Sequence, residues 1–193
     1  MLFRGKVSAE ADKGVNDMIS RQKLVIPTYE MDEAEKAPVF YDVRNHQGTR
    51  GNIYPIPMTD TFKNVKTDRE YDAIRLENEF IRVTVLPQLG GRIYEGYDKK
   101  ADYHFVYKNN VIKPALIGLC GAWISGGIEF NWPQHHRPTT FMPVDSWIEK
   151  GEDGSETAWM GEYEPLFGMK GMVGVTIWPG KAYVTVKTRL YNP

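Results

Sequence analysis

Residues 77–87 read ENEFIRVTVLP. Ile81, Val83 and Val85 alternate with Arg82 and Thr84. A period of two sends the three aliphatic side chains to one face and the two polar ones to the other, the pattern of a half-buried strand. Just upstream, YDAIRL (residues 71–76) reads as a second strand, and Glu77-Asn78-Glu79 as the turn between them. The pair predicts an antiparallel hairpin. In LGGRIYEGYD the double glycine Gly90-Gly91 permits a bend or bulge before a further strand resumes.

The same reading extends in both directions. KLVIPTYE (23–30) is an early strand, and its proline places it at a sheet edge. ADYHFVYK (101–108) is another strand. TTFMPVDSWIEK (139–150) and SETAWMGEYEP (155–165) are joined by a segment containing Asp153-Gly154, a strong turn signal. GMVGVTIW (171–178) and KAYVTVKTRLY (181–191) are joined by Pro179-Gly180. In the last strand Ala182, Val184, Val186, Thr188 and Leu190 alternate with Tyr183, Thr185, Lys187 and Arg189. Pro114 to Pro138 lacks periodicity and reads as a long ordered loop rich in glycine and aromatic residues. One short helix is expected in SAEADKGVNDMISRQK (8–23), with Ser8 as N-cap. The predicted class is an all-β antiparallel sandwich with a short N-terminal helix. Residues 1–22 form an N-terminal segment and 23–193 the β-domain.

Acidic and basic residues nearly cancel, leaving a formal net charge of −1. No strong field points toward nucleic acid or anionic membranes, and neither is expected as a partner. The N-terminus has no apolar run of the kind a secretory signal needs. Residues 115–124, the longest nearly apolar run, fall far short of the ~20 needed to span a bilayer. The single cysteine, Cys120, has no partner within the chain for a disulfide and sits in an apolar context as a small core residue. These features together lead us to expect a cytoplasmic location. No cofactor is expected.

GGIEFNWPQHHRP (126–138) concentrates the side chains best suited to chemistry. His135 and His136 exchange protons near neutral pH, and the carboxylate of Glu129 is suited to orient an imidazole. Asn131 and Arg137 suit hydroxyl groups and ring oxygens, while Trp123 and Trp132 offer flat apolar faces. This mixture favours a carbohydrate over a nucleotide. The Leu89-Gly90-Gly91-Arg92 stretch lacks the spacing and following helix of a phosphate loop. Adjacent histidines in an extended segment point to opposite faces, and no HExxH motif is present, so no metal site is expected. A structural reading stands beside the functional one, with the histidines capping backbone groups and Glu129 satisfying Arg137. Arg92, after the double glycine, has two readings: reaching a ligand or lying at the surface. His104, between Tyr103 and Phe105, is more in keeping with packing or surface placement. His46 lies in a polar loop, and Asp98 and Lys99 are turn residues.

Taken together, LENEFIRVTVLPQLGGRIYEGYDK (76–99) and VIKPALIGLCGAWISGGIEFNWPQHHRP (111–138), with the earlier VIPTYE and GNIYPIP, resemble the DUF5107 family over about residues 25–192. Members stand at the front of long bacterial proteins that often continue into tetratricopeptide repeats. That family is similar to the galactose mutarotase-like superfamily. The resemblance implies a supersandwich of antiparallel sheets with a sugar on its concave face. This chain corresponds to the N-terminal part of such a domain. In the superfamily's aldose 1-epimerases a histidine is the acid and a glutamate the base, with an arginine helping to bind the sugar. His135 or His136 matches the first of these roles and Arg92 the last. The base glutamate and a second histidine come later in the domain, so Glu129 is not that base by position, and the 193-residue chain alone is expected to be a poor catalyst. The resemblance thus implies a carbohydrate-active domain, glycoside hydrolase-like or epimerase-like. The alternative is a non-catalytic carbohydrate-binding or structural module of a larger tetratricopeptide-repeat protein. A carbohydrate ligand and further domains of the polypeptide, or a second copy in a homodimer, are the partners expected.

Overall fold

The computed structural model describes residues 17–37, 39–40, 53–54, 58–116, 122–132, 139–165 and 168–193. Nearly every described element is a strand. A five-stranded antiparallel sheet is built from β1 (Ile19–Met31), β4 (Phe62–Glu77), β5 (Ile81–Leu86), β6 (Arg92–Asp98) and β7 (Tyr103–Val106), in the order β1-β4-β5-β6-β7. A four-stranded meander is built from β10 (Asp145–Lys150), β11 (Glu156–Glu164), β12 (Met169–Ile177) and β13 (Val184–Tyr191). Two small two-stranded sheets complete it: β2 (Val39–Phe40) with β3 (Ile53–Tyr54), and β8 (Pro114–Leu116) with β9 (Ala122–Ile124).

The period of two dictates the packing. Ile74, Leu76, Ile81, Val83 and Val85 leave one face of the larger sheet and meet Ala158, Met160, Val175 and Ile177 of the smaller one. Fully burying an aliphatic side chain stabilises by roughly 1.5–3 kcal/mol over leaving it exposed, so this layer dominates the sandwich. Tyr71 and Ala73, of opposite parity on β4, point to the other face of the larger sheet. There, with Ile26, Leu86, Leu89 and Tyr94, they form a second core against Ile112, Ala122, Ile124 and Phe141. The larger sheet is therefore covered on both faces at that end, giving three layers.

The hairpin from Tyr71 to Leu86 forms as expected, its turn held by the Asn78 carboxamide, which accepts from the Phe80 and Ile81 amides. Gly154 (φ 77°) and Gly180 (φ 70°) sit in the two expected turns. β1 lies at a sheet edge, and beyond Pro27 that edge is closed by Ile112, which donates to the Pro27 carbonyl while its own carbonyl accepts from the Tyr29 amide.

Four segments differ from the sequence reading. Thr139 to Val144, read as the start of a strand, are turn and loop, and β10 begins only at Asp145. Ile19 to Lys23, assigned above to a helix, are strand: they pair with Leu76 to Asp72, and the Glu156 carboxylate takes the Ile19 amide at 2.8 Å. Pairing and the burial of Ile19 override local propensity, and β1 runs through the boundary drawn at residue 23. Asp17 and Met18 are not helical either, and residues 8–16 of the expected helix lie outside the described residues. β4 begins at Phe62, nine residues before the predicted strand, because residues Lys66 to Glu70 pair with Val25 to Tyr29 in a solvent-facing ribbon. Their charged side chains show no apolar alternation to read. Within Pro114–Pro138, a stretch read as loop, β8 and β9 pair as a hairpin too short for periodicity. Among the described residues no helix is long and apolar enough to cross a membrane, which says nothing of crossing by strands.

Candidate functional site

The site grows from the double glycine. After a single 3-10 turn at Pro87–Leu89, Gly90 and Gly91 both adopt left-handed conformations, φ 71° and 70°. A side chain on Gly90 would run into the Thr140 carbonyl, and one on Gly91 would come within 2.8 Å of Met160. The bend lets β6 start with Arg92 turned inward, so Arg92 is only 2% exposed. This excludes a surface role for it.

Its guanidinium gathers the loop that follows β9. Nη1 donates to the carbonyls of Ile124 (2.7 Å) and Gly126 (2.9 Å). Nη2 lies 3.4 Å from the Thr140 hydroxyl and 3.7 Å from Glu129 Oε2. The same carboxylate oxygen accepts from the Trp123 indole N–H at 2.8 Å. Ile93 and Ile128 exchange two backbone hydrogen bonds, 3.1 and 2.8 Å, which fix the chain one residue before Glu129. Gly127 is required there, because a Cβ would collide with the Ile93 carbonyl.

Of the residues singled out in the sequence, the structure thus unites Arg92, Trp123 and Glu129. Asn131 is exposed, and Trp132 is 6% exposed with its indole laid over Gly171 of β12. His135, His136 and Arg137 lie outside the described residues, as do His46 and Cys120. Just beyond them in the chain, the Thr139 hydroxyl donates to Glu162 Oε1 at 2.7 Å. Glu162 pairs in register with Gly171, the glycine beneath Trp132. Both flanks of residues 133–138 are therefore anchored at one rung of the smaller sheet.

Glu162 and Glu164 were missed by the sequence reading. Both occupy inward positions of β11, in step with Ala158 and Met160, and Glu164 is 1% exposed. Carboxylates where the alternation calls for apolar residues were the available signal. Among the described residues no group of three or more His, Cys, Asp and Glu is arranged to hold a metal ion.

A second polar cluster lies farther along β6. Glu95 is 6% exposed, and its Oε1 is shared by Arg82 Nη2 (3.3 Å), Lys108 Nζ (3.4 Å) and His104 Nδ1 (3.4 Å). Oε2 accepts from the Thr84 hydroxyl. Burial pushes the Glu95 carboxyl up, but the Lys108 and Arg82 charges outweigh it and hold the group below its ordinary value. A carboxyl depressed in the folded state stabilises above its unfolded pKa, and that contribution disappears as pH falls through the folded value. Acid unfolding should accordingly steepen below about pH 4.5, the usual carboxyl range. Glu95→Gln should flatten the curve there in pH-dependent urea denaturation, and an unchanged slope would refute the coupling.

The fold has a solved counterpart. A TPR-domain containing protein from Parabacteroides distasonis ATCC 8503 superposes with a TM-score of 0.76 at 23% identity, over 94% of this chain and 30% of that one. At that identity the likeness concerns the fold alone, and this chain spans less than a third of the protein it matches. A family model, the domain of unknown function DUF5107, matches residues 49–193, three quarters of the sequence including the Arg92 bend and both flanks of the histidine segment, and the chain belongs to that family.

Proposed function

We propose that this chain is a carbohydrate-binding domain of mutarotase-like type, its ligand held at the 126–139 stretch. One observation carries the reading. Two carboxylates from different parts of the chain border that stretch, Glu129 through Arg92 and Trp123, and Glu162 through Thr139. Chemistry at an anomeric centre calls for a pair of proton-handling groups, and binding a sugar calls for an aromatic face beside acceptors. Trp123 is half-buried and supplies such a face beside Glu129. In this reading His135 and His136 are the acid candidates, Glu162 is a second carboxylate, tied to the stretch at Thr139, and Asn131 and Arg137 complete the binding surface, while the buried Trp132 anchors the chain on Gly171.

A non-catalytic module is favoured by the use of Arg92, since both terminal nitrogens of its guanidinium already serve protein groups. A single experiment separates the two. Monosaccharides are titrated while tryptophan fluorescence is followed, and anomer exchange is measured by NMR on the same samples. A sugar-binding domain gives a saturable change that Trp123→Phe with Glu129→Gln weakens at least tenfold. A catalyst also gives exchange that Glu162→Gln slows by about 10²-fold or more. Binding without exchange identifies the module, and no saturable response to any aldose would overturn the proposal.

A further inference from the structure

We propose that the Glu95 cluster is a second ligand site, built to take a small polyhydroxylated molecule through its carboxylate or phosphate group. The proposal stands apart from the reading of residues 126–139.

The geometry is that of an oriented imidazole. His104 Nδ1 lies 3.4 Å from Glu95 Oε1, which leaves Nε2 on the far side of the ring from the carboxylate, and the His104 side chain is 45% exposed. A carboxylate on one ring nitrogen sets the tautomer and leaves the other to a ligand. The ring is also flanked by Tyr97, centroids 5.0 Å apart, and Arg82 stacks on Tyr97 at 4.6 Å. The Tyr97 hydroxyl is held by Asp102. Lys108, whose ammonium lies 5.6 Å from the centre of the Tyr94 ring, closes the other side.

Stability does not explain this arrangement. The cations offset the desolvation of Glu95, yet apolar residues of similar volume would serve stability as well. Nor is the network balanced. Arg82 and Lys108 bring two positive charges against the one of Glu95, and both donate to a single oxygen, Oε1. Arg82 Nε is buried with no hydrogen-bond partner. The neighbouring charges on this face largely pair among themselves, Glu77 with Lys99 and Arg75. What is left over at the cluster is donors, and an oxyanion is the chemistry that consumes them. Hydroxyls on the same ligand would meet His104 Nε2.

Histidine-labelled protein, followed by imidazole NMR, tests this. Only four histidines occur, so His104→Gln assigns the signal. Glucuronate and glucose 6-phosphate are titrated against neutral glucose. The expected result is a saturable shift of the His104 resonances with one or both anions and none with glucose. A response to one anion alone identifies which group the site takes. Lys108→Met, which removes the ammonium and keeps an unbranched side chain, should weaken that binding at least tenfold, whereas Glu129→Gln should leave it unchanged. The absence of a saturable shift with either anion, an equal response to glucose, or indifference to Lys108→Met would each overturn the site. Because Glu129→Gln acts on the other surface, failure here and failure of the proposed sugar site are distinguishable.

Discussion

Replacing Arg92 with alanine should cost the domain about 3–5 kcal/mol, the range for removing one partner of a buried pair. Several losses coincide. Two carbonyls, those of Ile124 and Gly126, lose their donor at 2.7 and 2.9 Å, and the Glu129 carboxylate loses the guanidinium 3.7 Å away. A buried acceptor left unsatisfied costs about 1–3 kcal/mol by itself. For a chain of this size each kcal/mol moves the melting midpoint by about 2–4 °C, so the shift should be plain in calorimetry. Arg92→Lys should rescue little, because an ammonium cannot span two carbonyls and a carboxylate as the planar fork does. Arg92→Met with Glu129→Gln should recover part of the loss, since it removes the carboxylate charge while filling the volume. If Arg92→Ala costs under about 1 kcal/mol in urea denaturation, the loop does not depend on the clamp.

That result would also locate the limit of the sequence reading. Arg92 and Glu129 were each recognisable, one by a double glycine and the other by its company of tryptophans and histidines. Their pairing was not, because it depends on β9 and the 126–129 loop returning across the face of β6. The same holds for Glu95 and His104. Tyr97 opposes His104 only after a register shift between Gly96 and Tyr97, and no local pattern announces a bulge. By contrast β5 and the turns at Asp153-Gly154 and Pro179-Gly180 were legible, since alternation and left-handed glycines are local properties. Alternation has its own limit in β13. Val186 and Leu190 stand opposite Val175 and Gly171 on the inward side, yet they are 48% and 57% exposed, because among the described residues the inward flank of β13 is open beyond Val184.

Trp159→Ala should be as damaging as the loss of Arg92, although Trp159 lies outside the sandwich. It occupies an outward position of β11, between Ala158 and Met160, which face the core. An outward tryptophan on an open sheet face ought to be exposed, yet Trp159 is 1% exposed. The reason is the residue opposite it on β12, Gly174. With no side chain there the indole lies down across the neighbouring strand, and a Cβ on Gly174 would come within 2.8 Å of the ring. Trp147 of β10 stacks beside it at 6.0 Å, and the Arg189 guanidinium of β13 covers it at 4.4 Å. The indole N–H donates to Glu149 at 2.6 Å. One side chain thus ties together all four strands of the sheet. Truncating a buried tryptophan costs about 3–5 kcal/mol, and the cation–π contact with Arg189 adds to what is lost. Trp159→Phe should retain most of the stability, giving up chiefly the bond to Glu149, about 1 kcal/mol. Gly174→Leu should approach the alanine variant from the opposite direction, by evicting the ring instead of deleting it. Urea denaturation of the three variants decides the matter. If Trp159→Ala proves no worse than Trp159→Phe, the sheet is held by its inner face alone and the outer tryptophan is not structural.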